Sequence, residues 1–228
     1  MTRVKLLRRG LLGLAVSLVL AFLLSAAIRA RQLPPDASGA YNGTDLNSPA
    51  ADFRLIDQNS VSTALSDFRG QVVALTFMDS RCQETCPIIA IHLRKVNQAL
   101  GDEVKSVVFM GVNVNLEADT VADVMAATQK WQLDEIPTWH FLTGNAEELE
   151  PIWRDYGISV IPDPEGAEIG HTPGVYLIDQ NGQTRWYVST PFDQAGTPQW
   201  TAPLSDLLVK HIRELLSERA EADASKQT

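Results

Sequence analysis

The chain of 228 residues carries two cysteines, Cys82 and Cys86, in the run Ser80-Arg81-Cys82-Gln83-Glu84-Thr85-Cys86-Pro87. Two sulfurs four positions apart, between an apolar run and a helical pattern, can close a disulfide or grip one soft metal ion. Closing so short a loop removes little freedom from the unfolded chain, far less than the ~3 kcal/mol of a 15-residue loop, so a purely stabilising disulfide is the weaker explanation. Pro87 suits the first position of a helix, where its missing N–H would have no partner. That puts Cys86 at or beside the N-cap, where the partial positive charge of the helix end lowers a thiol pKa. The expectation is a reactive Cys86, with Cys82 in the loop before it. Two thiolates favour Cu(I), or zinc with further ligands, and a nearby imidazole would complete a three-coordinate copper site.

Of the four histidines, three have ordinary settings. His92 falls beside the apolar stripe of its helix, His140 alternates within a strand and His211 sits in the last helix, so each reads as structural or surface. His171 differs, standing between a loop rich in Pro, Gly and acid (Ile161 to Gly170) and a strand, in Gly170-His171-Thr172-Pro173-Gly174. Spacing alone does not bring it to the cysteines. Only a fold can.

The elements that would do so are legible as apolar patterns. Val72–Met78, Val107–Val114, Trp139–Leu142 and Val175–Ile178 are nearly continuous in apolar residues, as strands covered on both faces are. Between the first two, Ile89, Leu93, Val96 and Leu100 place one stripe on a helix. Further helices are expected over Thr120–Trp131, Ala146–Tyr156 and about Leu204–Leu216. A hairpin-like stretch around Phe53-Arg54-Leu55 and Val61-Ser62-Thr63 opens the domain. Asp179-Gln180-Asn181-Gly182 offers a turn into a closing strand, Thr184 to Val188. This order predicts an α/β sandwich, mixed at one edge by the terminal hairpin.

The first 31 residues belong to targeting. Gly10 to Ile28 form an uncharged, mostly apolar stretch of 19 residues, long enough for one transmembrane helix. Arg3, Lys5, Arg8 and Arg9 precede it and Arg29 and Arg31 follow, which favours a cytoplasmic N-terminus and a single-pass membrane protein with its globular part on the extracytoplasmic, periplasmic side. A cleaved signal peptide ending near Ser25-Ala26-Ala27 is the rival, and Arg8-Arg9 also fits a twin-arginine signal. Residues 32–50, rich in Pro, Gly, Ser and Asn, read as a flexible linker, 51–216 as the folded domain and 217–228 as a polar tail. Asn42-Gly43-Thr44 matches a glycosylation acceptor in a eukaryotic secretory context. Beyond the first 31 residues, 13 Lys and Arg face 28 Asp and Glu. Such a field should not draw nucleic acid or an anionic membrane surface; it serves solubility, and a docking partner, if charged, would be basic. Outside the cytosol a dithiol stays reduced only if something reduces it.

Most of Asp52 to Asp179 resembles the Sco/SenC copper chaperones, which are thioredoxin-like. The resemblance rests on Asp52-Phe53, on Leu65-Ser66-Asp67-Phe68-Arg69-Gly70, and on the Cys-x-x-x-Cys-Pro of Cys82 to Pro87. It continues through Trp139-His140-Phe141-Leu142-Thr143-Gly144 and Tyr156-Gly157 to His171 ahead of Tyr176-Leu177-Ile178-Asp179. It implies an α/β, thioredoxin-like sandwich in which Cys82 and Cys86 are the copper-ligating, redox-active thiols and His171 the third ligand. One Cu ion per chain is expected, delivered to a cuproprotein acceptor such as a cytochrome c oxidase subunit, with a thiol reductant as second partner. Where the family commonly carries an acidic Asp-Pro motif after the second strand, this chain has Asn113-Val114-Asn115.

Thr172-Pro173 supports a different reading. A Thr-Pro just before a strand is similar to the cis-proline loop of thioredoxins, and copper chaperones of this family usually lack a proline there. The alternative is therefore a membrane-tethered thiol-disulfide oxidoreductase with Cys82 and Cys86 as its catalytic pair and a cis Thr172–Pro173 bond. A peroxidase, with Thr85 and Arg81 beside its cysteine, is a third reading.

Overall fold

Val72–Met78 is the strand around which the chain is arranged, and every one of its seven side chains is buried. The computed structural model describes residues 42–162, 169–189 and 203–225. Strands β1 (Thr44–Pro49), β2 (Arg54–Asp57), β3 (Ser62–Ala64), β4 (Val72–Met78), β5 (Val107–Asn113), β6 (Trp139–Thr143), β9 (Val175–Ile178) and β10 (Gln183–Val188) form one sheet in the order β1-β10-β9-β4-β5-β6-β2-β3. A separate ribbon pairs β7 (Val160–Pro162) with β8 (Ile169–His171). The helices are α1 (Thr85–Leu100), α2 (Val121–Lys130), α3 (Ala146–Asp155) and α4 (Leu204–Ser225).

Alternation along the central strands divides the core. Val72, Ala74 and Met78 of β4 face one way, with Val107 and Phe109 of β5, against Ile89, Leu93 and Val96 of α1 and Leu208 and Ile212 of α4. Val73, Leu75 and Phe77 face the other way, with Val108, Met110 and Val112, against Leu149, Ile152 and Trp153 of α3. The sheet is thus sandwiched by helices, which is why its central strands read as unbroken apolar runs. Each large apolar side chain so buried contributes about 1.5–3 kcal/mol. The expected stripe Ile89, Leu93, Val96 and Leu100 is buried throughout. Thr120 and Asn145 cap α2 and α3 by accepting from the N–H groups of Asp123 and Glu148.

The β4–β5 and β5–β6 pairings are parallel, while β9 runs antiparallel to β4 with Thr76 opposite Val175. The C-terminal end of β4, where the cysteine loop begins, therefore lies beside the N-terminal end of β9, which His171 approaches. The β9–β10 hairpin turns through Asp179–Gly182 as its sequence suggested. Asp179 accepts from the N–H groups of Asn181 and Gln183, and Gly182 takes the positive φ of 78°.

Two boundaries differ from the sequence reading. Thr44–Pro49, inside the stretch expected as a linker, is an edge strand on β10 with all six residues exposed. It is held by backbone pairing and buries no side chain, so it leaves no apolar period. Helix α4 continues to Ser225, past the expected end at Leu216. The apolar run Gly10–Ile28 lies outside the described residues; among those described, no helix is long and apolar enough to cross a membrane.

Candidate functional site

Helix α1 begins at Thr85, with Glu84 as N-cap, so Cys86 is its second residue and Pro87 its third. Proline is tolerated there because the first four N–H groups of a helix have no intrahelical acceptor. This placement corrects the expected division of labour between the thiols. The sulfur positioned to collect the unpaired N–H groups of the helix end is that of Cys82: it accepts from the Cys86 N–H at 3.3 Å and also from those of Glu84 and Thr85.

The two thiols are reduced and buried, Cys82 at 7% exposure and Cys86 at 1%. Their acidities are driven apart. The Cys86 thiol donates to the Cys82 sulfur, and this, opposed by burial and helped by the backbone donors, lowers the Cys82 pKa to about 6. Cys86 is raised well above the ordinary thiol range by the same bond, by burial and by the charges of Cys82 and Asp79. Cys82 is the anionic sulfur at neutral pH, and Cys86 holds the proton.

The ribbon β7–β8 delivers the third group. His171, paired with Val160, places Nε2 3.8 Å from the Cys86 sulfur. Its Nδ1 lies 3.1 Å from the Thr172 carbonyl, and donation to that oxygen leaves Nε2 as the unprotonated, acceptor nitrogen. Burial lowers the His171 pKa against the opposing effects of this bond and of Asp79, which keeps the imidazole neutral at pH 7. The loop behind it is pinned at several points. Thr172 exchanges bonds with Ser159, Thr76 Oγ1 donates to the Gly174 carbonyl at 2.9 Å, and Tyr187 donates to the Pro173 carbonyl at 2.6 Å. No peptide bond among the described residues is cis, so Thr172–Pro173 is trans, and the cis-proline loop of the oxidoreductase reading is not present. With Thr172 bonded to Ser159 before the bond and Pro173 and Gly174 held by Tyr187 and Thr76 after it, the chain passes extended from ribbon to sheet.

The sequence did not single out Asp79, which is fully buried at the end of β4. Its Oδ1 accepts from the Arg81 N–H at 2.8 Å and the Asn115 side-chain amide at 2.7 Å, and its Oδ2 accepts from the Ile169 N–H at 3.4 Å. An acid directly after a fully buried strand, apolar but for Thr76, and three before a cysteine was the available signal. Asn113, also fully buried, bonds Ser80, Asn115 and Ala118 and joins the loops that follow β4 and β5. The other histidines have structural partners: His140 meets Asp57 at 3.1 Å, His211 stacks on Trp186 and bonds Glu214 and the Asn42 carbonyl, and His92 accepts from the Ser205 N–H. The Arg81 guanidinium donates to the Glu117 carbonyl.

Cys86 thus touches both Cys82 and His171. Among the described residues no three such side chains are already spaced as a closed metal cage, and the set consists of two pairs sharing one sulfur. The donors nevertheless suit a soft ion. Bonds of roughly 2.3 Å to sulfur and 2.0–2.1 Å to imidazole, as in zinc sites, separate two donors by about 3.8 Å at a trigonal angle, so the Cys86–His171 pair needs little movement. A cavity of about 460 Å³, lined by Leu116, Trp153, Val160 and Ile169 among others, adjoins the same ribbon but contains none of the three donors in its wall.

Comparison with known proteins agrees with this fold. The family model for SCO1/SenC matches residues 42–199. A bovine protein, "Protein SCO2 homolog, mitochondrial", is 30% identical over 144 residues, which cover 60% of this chain and 53% of that one. The chain thus matches about half the length of that relative. The crystal structure of a SCO1/SenC family lipoprotein from Bacillus anthracis superposes with a TM-score of 0.63 at 24% identity, covering 76% of this chain and 98% of the other. Bradyrhizobium japonicum ScoI, solved with copper bound, gives 0.58 at 21% identity over 74% and 99%. The shared architecture is a mixed α/β, thioredoxin-like fold.

Proposed function

Since this chain belongs to the SCO1/SenC family, we propose that it is a copper chaperone that holds one Cu(I) between the sulfurs of Cys82 and Cys86 and the imidazole of His171. It passes this cargo to an acceptor cuproprotein, and the family resemblance points to a cytochrome c oxidase subunit. The observation that carries the reading is the single contact of Cys86 with both Cys82 and a neutral, Nε2-accepting His171. A relative of the same fold holds copper.

Each residue has a part in loading. Cys82 is already a thiolate at pH 7 and meets the incoming cation first. Cys86 gives up its proton as the ion replaces it between the sulfurs. His171 supplies a lone pair that needs no deprotonation, held in direction by the Thr172 carbonyl. Both thiols must be reduced beforehand, which assigns a thiol reductant as the second partner. Release proceeds by ligand exchange with the acceptor's own donors. In this reading Gly10–Ile28 is a retained anchor that keeps the domain on the extracytoplasmic side, in keeping with a lipoprotein among the relatives.

The low pKa of Cys82 also suits attack on a disulfide, with Cys86 resolving the mixed species, and this supports thiol-disulfide exchange as a second reading. One variant separates the two. Replacing His171 by Ala is expected to weaken Cu(I) binding by at least ~100-fold in competition with a chromogenic chelator, since losing even an outer-shell partner costs ~10–100-fold. The Cys82–Cys86 disulfide should still form. Unchanged copper affinity with loss of disulfide reduction would overturn the chaperone reading and leave His171 as a group serving thiol exchange.

A further inference from the structure

Asp79 has contacts on every side of the thiols. Its carboxylate accepts N–H groups from three segments: the cysteine loop through Arg81, the loop after β5 through Asn115, and the His171 ribbon through Ile169. Its own carbonyl accepts the Cys82 N–H at 3.1 Å. Its N–H points to the Cys86 sulfur. All the carboxylate's partners are neutral, and no cation lies within ion-pair distance among the described residues. Every partner of the carboxylate is a hydrogen-bond donor, so it faces the site as an acceptor on both oxygens.

We propose that Asp79 is a positioning residue that ties the cysteine loop to the His171 ribbon and whose fixed charge narrows the site's preference for Cu(I) over Cu(II). This rests on the copper-binding reading above. Two thiolates and one imidazole by themselves favour the softer Cu(I). A neighbouring negative charge acts the other way, because Cu(II) carries one more positive charge and gains more from it in a poorly solvated site. Asp79 lies against both halves of the site, its carbonyl bonded to the Cys82 N–H at 3.1 Å and its carboxylate to the Ile169 N–H at 3.4 Å, two residues before His171. The two effects have different signatures. Loss of positioning weakens both ions alike, whereas loss of charge changes their ratio.

The test measures Cu(I) and Cu(II) affinities separately, each by chelator competition, for the full chain and for Asp79→Asn and Asn115→Ala. Asp79→Asn removes the charge and keeps the side chain's size, so the Cu(I)-to-Cu(II) affinity ratio should rise about tenfold. Asn115→Ala keeps the charge and removes one donor, so the ratio should stay within about threefold of the parent even if both affinities fall. A ratio unchanged in Asp79→Asn, or shifted equally in Asn115→Ala, overturns the role assigned to the charge. A parent chain that binds neither ion overturns the copper reading and this inference together; a parent that binds Cu(I) with no ratio change in Asp79→Asn overturns the inference alone.

Discussion

The Cys86 sulfur and the His171 Nε2 nitrogen lie 3.8 Å apart although 85 positions separate them in the chain. Antiparallel pairing of β4 with β9 produces this meeting. The cysteine loop leaves the end of one strand where the histidine ribbon enters its neighbour.

The acidity difference between the sulfurs gives a direct test. Alkylation of Cys82 should follow a titration midpoint of about 6 and level off above pH 7, with Cys86 slow throughout. Since the Cys86 thiol is the main donor to Cys82, Cys86→Ala should return Cys82 toward the ordinary ~8.5 of a free thiol. A fast Cys86 and slow Cys82, measured by peptide mapping, would contradict the assignment.

Proton counting follows from the same pair. At pH 7.5 Cys82 is ionised, His171 is neutral and Cys86 is protonated. Binding of Cu(I) should therefore release about one proton per ion, read by calorimetry in buffers of different ionisation enthalpy. Below pH 6 the number should approach two, as Cys82 also enters protonated. Release of two protons at pH 7.5 would place both thiols in the ordinary range.

Gly174 controls the loop that presents His171. Its φ of 151° disfavours other residues, and a Cβ would meet the Tyr187 ring at 2.6 Å. Gly174→Ala should destabilise the domain by about 1–3 kcal/mol and lower its melting temperature. Because Tyr187 also donates to the Pro173 carbonyl, copper affinity should fall with it. A variant with parental melting temperature would show that the loop can move aside.

Much of this arrangement was legible in the sequence, for definite reasons. Strands buried on both faces and the stripe of Ile89, Leu93, Val96 and Leu100 leave periodic traces, and Asp179 to Gly182 carries turn chemistry. Strand β1 and the β7–β8 ribbon left none, because backbone pairing makes them. Helix α4 runs past Leu216 because Glu and Ala recur in its last turns and favour helix by intrinsic propensity, with no apolar period to mark it in the sequence. The helix start was misplaced by two residues when Pro87 was set at its first position, and that shift exchanged the expected roles of Cys82 and Cys86. Asp79 escaped notice since its significance lies in partners at Asn115 and Ile169, remote in the chain.

The central claim concerns what surrounds the ion. X-ray absorption at the copper edge of the Cu(I)-loaded chain, with one copper per protein, should give two sulfur scatterers and one imidazole nitrogen, and His171→Ala should lose the nitrogen alone. A spectrum of two sulfurs and no imidazole in the parent, or one unchanged in His171→Ala, would contradict the account.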